Sequence, residues 1–315
     1  VLPAEFSLIA RHFAPLAGDG GLGLTDDAAI ITPPAGRELV VTADAMVAGV
    51  HFLPDEKPEN IARKLLRVNL SDIAAMGAAP LYYLLTLSAP RGLPDEWFAG
   101  FAHGLALDQA RYNVALLGGD TTSTPGPVTL SVTMFGHVAP GTALRRSGAR
   151  PGDNLYVTGL IGDGVLGLAA LRGEIPDPDG SLAARYRFPE PRLGLKLHGI
   201  ATAAMDISDG LIQDAGHIAR ASGVAVEIEV ARVPLSAAGN AAGPDFVASG
   251  VAGGDDYELL LAAPPEHETT LMAVAAGPGL AFTRIGRFVA GAPDVRGIAA
   301  NGSVMALGGR GWSHF

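Results

Sequence analysis

Apolar positions in this chain recur at two spacings, and the two alternate along its length. Between Glu5 and Leu16 they return every three or four residues, which predicts a short helix. "AGDGGLGLTDDAAII" follows as a glycine-rich turn leading into a strand, and "RELVVTADAMV" reads as a second strand. "ENIARKLLRVNLSDIAAMG" has helical spacing, "LYYLLTLSAP" is strand-like, and Pro94 to Tyr112 is helical again. "VALLGGD", which Asp120 ends, and "VTLSVTMFGHV" are the next two strands. "APGTALRRSGARPGD" breaks every period with Gly, Pro and Arg, and reads as the crossing between two domains, 1–138 and 139–315. The second half restarts with the strand "NLYVTG", a helix from Asp163 to Leu171 and an irregular Pro-rich segment from Ile175 to Pro191. The strands "VAVEIEV" and "YELLLAA", a helix near Glu266 to Ala276 and a closing strand pair complete it. Strands alternating with helices in both halves predict an α/β (α+β) protein of two domains.

Within this pattern, "AMDISDGLIQDAGHI" places Asp206 and Asp209 at the mouth of a strand-to-helix turn. Ser208 or Asp209 can cap the helix by accepting its first backbone N–H groups, and capping alone accounts for both residue types. Asp72 is harder to account for. At about 100° per residue, Arg63, Lys64, Arg67 and Ser71 form one polar face of their helix, and Asp72 falls opposite, among Leu65, Val68 and Met76. A carboxylate in an apolar stripe needs an ion pair, a hydrogen bond or a cation. Asp26, Asp27 and Asp120 also sit at strand ends or turns, where α/β proteins build ligand sites, and Asp44 lies within "VVTADAMV". Oxygen ligands without His or Cys sets favour Mg²⁺ over zinc.

Composition narrows the chemistry. The 315 residues contain no cysteine, which removes disulfides, thiol nucleophiles and zinc–thiolate sites. The net charge of −10, without a basic block, argues against a nucleic-acid footprint. No apolar run is long enough for a membrane span, and "VLPAEFSLIARHF" lacks the basic start and apolar core of a signal peptide. A cytoplasmic, soluble protein is the expectation. No P-loop motif is present. "GDGGLG" (18–23) has the wrong context for a dinucleotide fingerprint, but "GDGVLG" (162–167) follows a strand and opens a helix. It lacks a clear strand ending in an acid about 20 residues on, so a dehydrogenase stays a competing reading.

"EFSLIARHF", "TDDAAI", "VTADAMVAGVHF", "KLLRVNLSDIAAMGAAP", "LLGGDTT", "LRRSGARPGD", "LYVTG", "DISDGLIQDAGHIARASG" and "GGDDYEL" occur in this order. Together they resemble the thiamine-monophosphate kinases along essentially the whole chain. That resemblance implies the fold of the aminoimidazole-ribonucleotide synthetase and selenophosphate synthetase superfamily, with two α/β domains and a homodimer formed through the N-terminal sheets. "AGVHF" and "GWSHF" favour the thiamine-phosphate branch, and the lack of cysteine disfavours a selenophosphate synthetase.

The resemblance also implies roles. Asp27, Thr42, Ala43 (through its carbonyl), Asp44, Asp72, Asp120, Asp206 and Asp209 would hold several Mg²⁺ ions around the phosphates of ATP, the co-substrate. Gly119, Asp120, Arg146 and Ser208 would contact ATP, with Asp209 and Arg146 the catalytic pair. His51, Asp255 and Phe315 would line the thiamine phosphate pocket. Three positions depart from the pattern: Thr25 stands where a glycine is usual, Ala43 replaces a threonine, and Asp255 replaces a glutamate. The implied activity is ATP-dependent phosphorylation of thiamine phosphate to thiamine diphosphate by direct in-line transfer. A superfamily sibling using another acceptor, and a binding protein without turnover, are the alternatives these departures leave open.

Overall fold

The computed structural model describes residues 4–242, 252–276, 280–305, 307, 311 and 312. Its backbone divides into two compact units, one of residues 1–73 and 78–141 and the other of residues 74–77 and 142–315. In the first unit, α1 (Ala4–Leu8) runs into further helical turns that end at Leu16. β1 (Glu38–Val47), α2 (Pro58–Ala75), β2 (Ala79–Pro90), α3 (Asp95–Tyr112), β3 (Ala115–Thr124) and β4 (Thr129–Val138) follow. The four strands form one sheet in the order β1-β4-β2-β3. The β2/β3 pair is parallel, because α3 carries the chain back between them, and the other pairs are antiparallel. Along β4, Leu130, Val132 and Met134 are buried while Ser131, Thr133 and Phe135 are only half covered. The sheet therefore has one core face and one open face.

Two sequence expectations fail here. "AAII" forms no strand, and the chain from 29 to 34 has no regular structure. Ile30 instead donates its N–H to Gly20 O at 2.8 Å, tying the segment to the glycine-rich turn. Asp120 does not end β3 but lies in its middle, since the strand continues through "TTST".

The polar face expected on α2 is not a solvent face. Arg67, Lys64 and Ser71 are 2%, 3% and 1% exposed. The reason is α3, whose Asp108 (1% exposed) receives two bonds from Arg67, Nε to Oδ2 at 2.6 Å and Nη2 to Oδ1 at 3.0 Å. Arg63 Nε adds a third contact at 3.3 Å, and the Arg67 guanidinium lies over the Tyr112 ring.

The second unit contains β5 (Asn154–Thr158), α4 (Asp163–Leu171), α5 (Ser181–Arg187), β6 (Ala203–Asp206), α6 (Leu211–Ser222) and β7 (Ala225–Glu229). After these come α7 (Ala237–Ala241), β8 (Leu259–Ala263), α8 (Glu268–Ala276), β9 (Phe282–Val289), β10 (Asp294–Ile298) and β11 (Val304–Met305). Its sheet runs β11-β10-β7-β9-β5-β8-β6. The chain closes on the antiparallel pair β10 and β11, as expected, with one further strand, β9, before them; β9 and β10 flank β7. β5 and β8 are buried at every position, which explains their unbroken apolar runs. Leu155, Val157 and Leu260 pack with α6 on one face, and Tyr156, Leu259 and Leu261 pack with Leu271 of α8 on the other. The Pro-rich segment is not wholly irregular, since α5 forms within it.

Removing Asp108 strands a buried guanidinium. Asp108→Ala is expected to cost about 3–5 kcal/mol of stability, read as a lower urea midpoint. A loss below about 1 kcal/mol, the range of a surface pair, would show that water screens this one.

Candidate active site

In the first unit the pleat of β1 points Thr42 and Asp44 to the same side, toward α2, where Asn69 and Asp72 share a face at i and i+3. Thr42 Oγ1 donates to Asp72 Oδ2 at 2.5 Å, and the Asp44 N–H donates to Asn69 Oδ1 at 3.1 Å. Asn69 is fully buried and holds Leu65 O through Nδ2 at 2.9 Å, so its carbonyl orientation is set. The carboxylate set among Leu65 and Val68 is thus met by a strand hydroxyl. Thr42 and Asp72 present bonded oxygen donors, with Asp44 on the same side of β1 and all three half-buried. Ala43 is exposed on the opposite side of the pleat, so its missing hydroxyl takes nothing from this set.

A cavity of about 600 Å³ in the same unit is lined by Asp26, Asp27, Gly119 and Asp120, with Phe6, Ile9 and Phe13 among its apolar walls. Asp27 and Asp120 are exposed. Gly119 has φ 149°, and a Cβ there would lie 1.7 Å from Leu85 O, so only glycine allows β3 to pass β2 at this point. Thr25 sits at φ −113° and ψ −10°, a conformation that needs no glycine. His51 follows β1 in a tight turn, and its Nδ1 accepts the Val47 N–H at 3.0 Å. The neutral ring therefore carries its proton on Nε2.

In the second unit two segments, 207–208 and 255–258, are laced together by backbone bonds. Ile207 N–H reaches Glu258 O at 2.8 Å, Tyr257 N–H reaches Ile207 O at 2.8 Å, and Asp255 N–H reaches Ser208 O at 2.9 Å. These contacts bring Asp206 (3% exposed), Ser208, Asp209 and Asp255 into one neighbourhood. The capping expected of Ser208 or Asp209 is absent, because α6 starts after Gly210 without a side-chain cap there. Asp214, one turn into α6, accepts the N–H groups of Ser208, Asp209 and Gly210, each at 3.1 Å. Burial, with the nearby Asp209 charge, pushes the Asp214 carboxyl up to about 7. Asp209 Oδ2 accepts Gln213 Nε2 at 3.0 Å, and one ligand atom each of Asp209, Asp214 and His217 lie within 4.8 Å of one another. Burial lowers the His217 pKa, aided by the charges of Arg220 and the exposed Arg146. Trp312 of "GWSHF" donates its N–H to Asp209 O at 3.0 Å, while Phe315 lies outside the described residues.

In "GGDDYEL" the positive φ angles belong not to the glycines but to Asp255 (69°) and Tyr257 (51°). Gly254 serves close approach instead, since a Cβ there would lie 2.2 Å from Ser208 O. Tyr257 Oη donates to Asp255 Oδ1 at 3.1 Å, which fixes the shorter acid that replaces glutamate. Asp256, fully buried, accepts the Gly162 and Gly164 N–H groups at 2.8 and 3.1 Å. A protein carboxylate thereby fills the start of α4, where a dinucleotide pyrophosphate would have to bind. Glu258 (1% exposed) accepts Thr158 Oγ1 at 2.6 Å, Arg185 Nη2 at 2.9 Å and Arg192 Nε at 2.7 Å. Reading the sequence missed Asp214, Asp256, Glu258, Arg185 and Arg192. Their only trace was a carboxylate recurring beside glycine-rich turns.

Comparison with known proteins bears on this arrangement. Residues 25–138 match the AIR synthase related protein, N-terminal domain, and residues 150–297 match the corresponding C-terminal domain. A thiamine-monophosphate kinase of Caulobacter vibrioides is 44% identical over 324 residues, covering 99% of this chain and 91% of that one. The crystal structure of a thiamine-monophosphate kinase from Stenotrophomonas maltophilia superposes with a TM-score of 0.84 at 40% identity, covering 96% of this chain and 98% of that one. A structure described as AaThiL complexed with AMPPCP and TMP superposes with a TM-score of 0.78 at 31% identity, covering 99% and 97%.

Asp256 generates a pH prediction. Burial pushes its carboxyl up to about 7, against the lowering influence of Arg185 and the two N–H groups. Unfolded, the same group has a pKa of about 3.9. The folded state therefore binds the proton more tightly, and this contribution to stability, full below about pH 4, is lost as pH rises through about 7. Asp256→Asn should flatten the fall in melting temperature between pH 5 and 8 relative to the parent protein. An unchanged slope would remove Asp256 as its source.

Proposed function

This chain belongs to the AIR synthase related family, among its thiamine-monophosphate kinases, and from that premise we propose that it transfers the γ-phosphoryl group of ATP to thiamine phosphate. The products are thiamine diphosphate and ADP. The observation that carries the reading is the Thr42–Asp72 bond, which sets two oxygen donors side by side, with Asp44 on the same side of β1. A phosphate monoester has a second pKa of about 6, so the attacking oxygen is largely deprotonated at neutral pH and no general base is required. What the protein must supply is alignment and charge neutralisation.

Asp27, Thr42, Ala43 (through its carbonyl), Asp44, Asp72 and Asp120 in one unit, and Asp206 and Asp209 in the other, would hold Mg²⁺. The ion, when bound, neutralises phosphate oxygens and draws charge from the transferring group. Gly119, Asp120 and Ser208 would contact ATP, and Arg146 and Asp209 would act on the transferring phosphoryl group. His51, with its Nε2–H as donor, Asp255 and Phe315 would receive thiamine phosphate. The Tyr257–Asp255 bond favours a fixed carboxylate that can offset the thiazolium charge. Residues 1–138 would form the ATP-binding and dimerising domain, and residues 139–315 the domain that completes the active site.

A homodimer through the first sheet is part of this proposal. Leu39 and Val41 of β1 are 41% and 55% exposed on its open face, apolar surface that a second copy would cover. A cytoplasmic setting suits an ATP-consuming enzyme without cysteine, and among the described residues no helix is long and apolar enough to cross a membrane.

Incubation with Mg·ATP and thiamine phosphate should yield thiamine diphosphate. ATP turnover only with a different acceptor would favour a sibling enzyme, and binding without turnover would favour an inactive binder. Asp72→Asn keeps a partner for Thr42 but removes the charge, so turnover should fall by about 100-fold or more with little change in melting temperature. A destabilised variant with normal activity would take Asp72 out of the site. Val41→Glu should convert a dimer to a monomer in sedimentation velocity, and a parent protein that is already monomeric would sink the dimer proposal.

A further inference from the structure

Asp214 belongs to none of the groups assigned above to metal, ATP or thiamine phosphate. It is 1% exposed, and its Oδ2 gathers three consecutive amides, those of Ser208, Asp209 and Gly210. An ordinary cap precedes its helix and satisfies amides inside the first turn. Here the acceptor sits within α6 and reaches backward to amides that precede Leu211. The grip is on the loop.

The loop is also pinned elsewhere. Ser208 O accepts the Asp255 N–H at 2.9 Å, Asp209 O accepts the Trp312 N–H at 3.0 Å, and a Cβ on Gly210 would lie 2.4 Å from Ala252 O. Among the described residues, Asp214 is the one side chain that holds all three amide planes at once. Oδ1 of Asp214 finds no hydrogen-bond partner among the described residues, so the grip on the loop runs through the single atom Oδ2.

We infer that Asp214 is a positioning residue: by holding the 208–210 amides it directs the Asp209 carboxylate and Ser208, and its effect on the reaction runs through Mg·ATP. This rests on the kinase reading above. Asp214→Asn leaves a neutral acceptor of nearly the same shape, and Asp214→Ser keeps a shorter one should the first variant fold poorly. Asp214→Asn is expected to melt at or above the parent temperature, yet to raise the KM for Mg·ATP about tenfold, while the KM for thiamine phosphate stays within about twofold. In an Asp209→Asn background the same change should add little further loss, because the two residues act in series.

Calorimetry with Mg²⁺ and a non-hydrolysable ATP analogue reads the effect without turnover. Parent protein that binds the analogue but makes no thiamine diphosphate would sink the kinase reading alone, and the affinity ratio between parent and variant would still decide for or against Asp214. Parent protein that does not bind the analogue would overturn both. Unchanged analogue affinity in the folded variants, an equal rise in both KM values, or full additivity with Asp209→Asn would overturn the positioning role.

Discussion

Carboxylates taken out of water are the constraint around which this molecule is arranged. Asp108, Asp214, Asp256 and Glu258 are each 1% exposed or less. An ion so placed costs several kcal/mol unless donors surround it, and each of the four is met by a different set. Guanidinium groups of α2 meet Asp108. Loop amides meet Asp214, and the amides opening α4 meet Asp256. Thr158, Arg185 and Arg192 meet Glu258. For Asp108, Asp256 and Glu258 donors and acceptor come from separate segments, so each fastens two pieces of chain that local propensity would leave apart, whereas Asp214 ties its own helix to the loop just before it.

The acids proposed for ligands differ in burial. Asp27 and Asp120 are exposed, and Asp44, Asp72, Asp209 and Asp255 are half-buried. Asp206, at 3% exposed, is the exception and stands at the strand end where the laced loops begin. Phosphoryl transfer needs alignment more than proton transfer, which suits reachable acids mounted on elements that do not move. The Thr42–Asp72 bond and the Asp214 clamp are two such mountings.

The departures from the family pattern become intelligible on the same terms. Thr25 occupies an ordinary right-handed conformation, and Ala43 points away from the donors of β1. Asp255 is bonded to Tyr257 in a loop whose positive φ angles fall on side-chain-bearing residues. Such angles are uncommon outside glycine, and the buried Asp256 between them holds the backbone in place.

The alternation of periods in the sequence was enough to mark β1, α2, β2, α3, β4, α4 and β8, because each is long or strongly apolar and its pattern reflects its own burial. Asp72 was legible because a carboxylate in an apolar stripe conflicts with its helix period, whereas Asp120 and Asp206 stood out through the family motifs around them. What periodicity could not reveal was the partner of each polar group. Arg67 reads as a surface charge until α3 brings Asp108 to it, and "AAII" reads as a strand until Gly20 takes the Ile30 amide. Asp214 reads as one polar position of an amphipathic helix until the fold turns three loop amides onto it. Local sequence determines which segments become helix or strand, since that depends on neighbours a few residues away. Only the tertiary structure decides which buried charges are satisfied: the partners of Asp108, Asp256 and Glu258 lie dozens of residues off, and Asp214, whose amides are close in sequence, is buried only in the assembled unit.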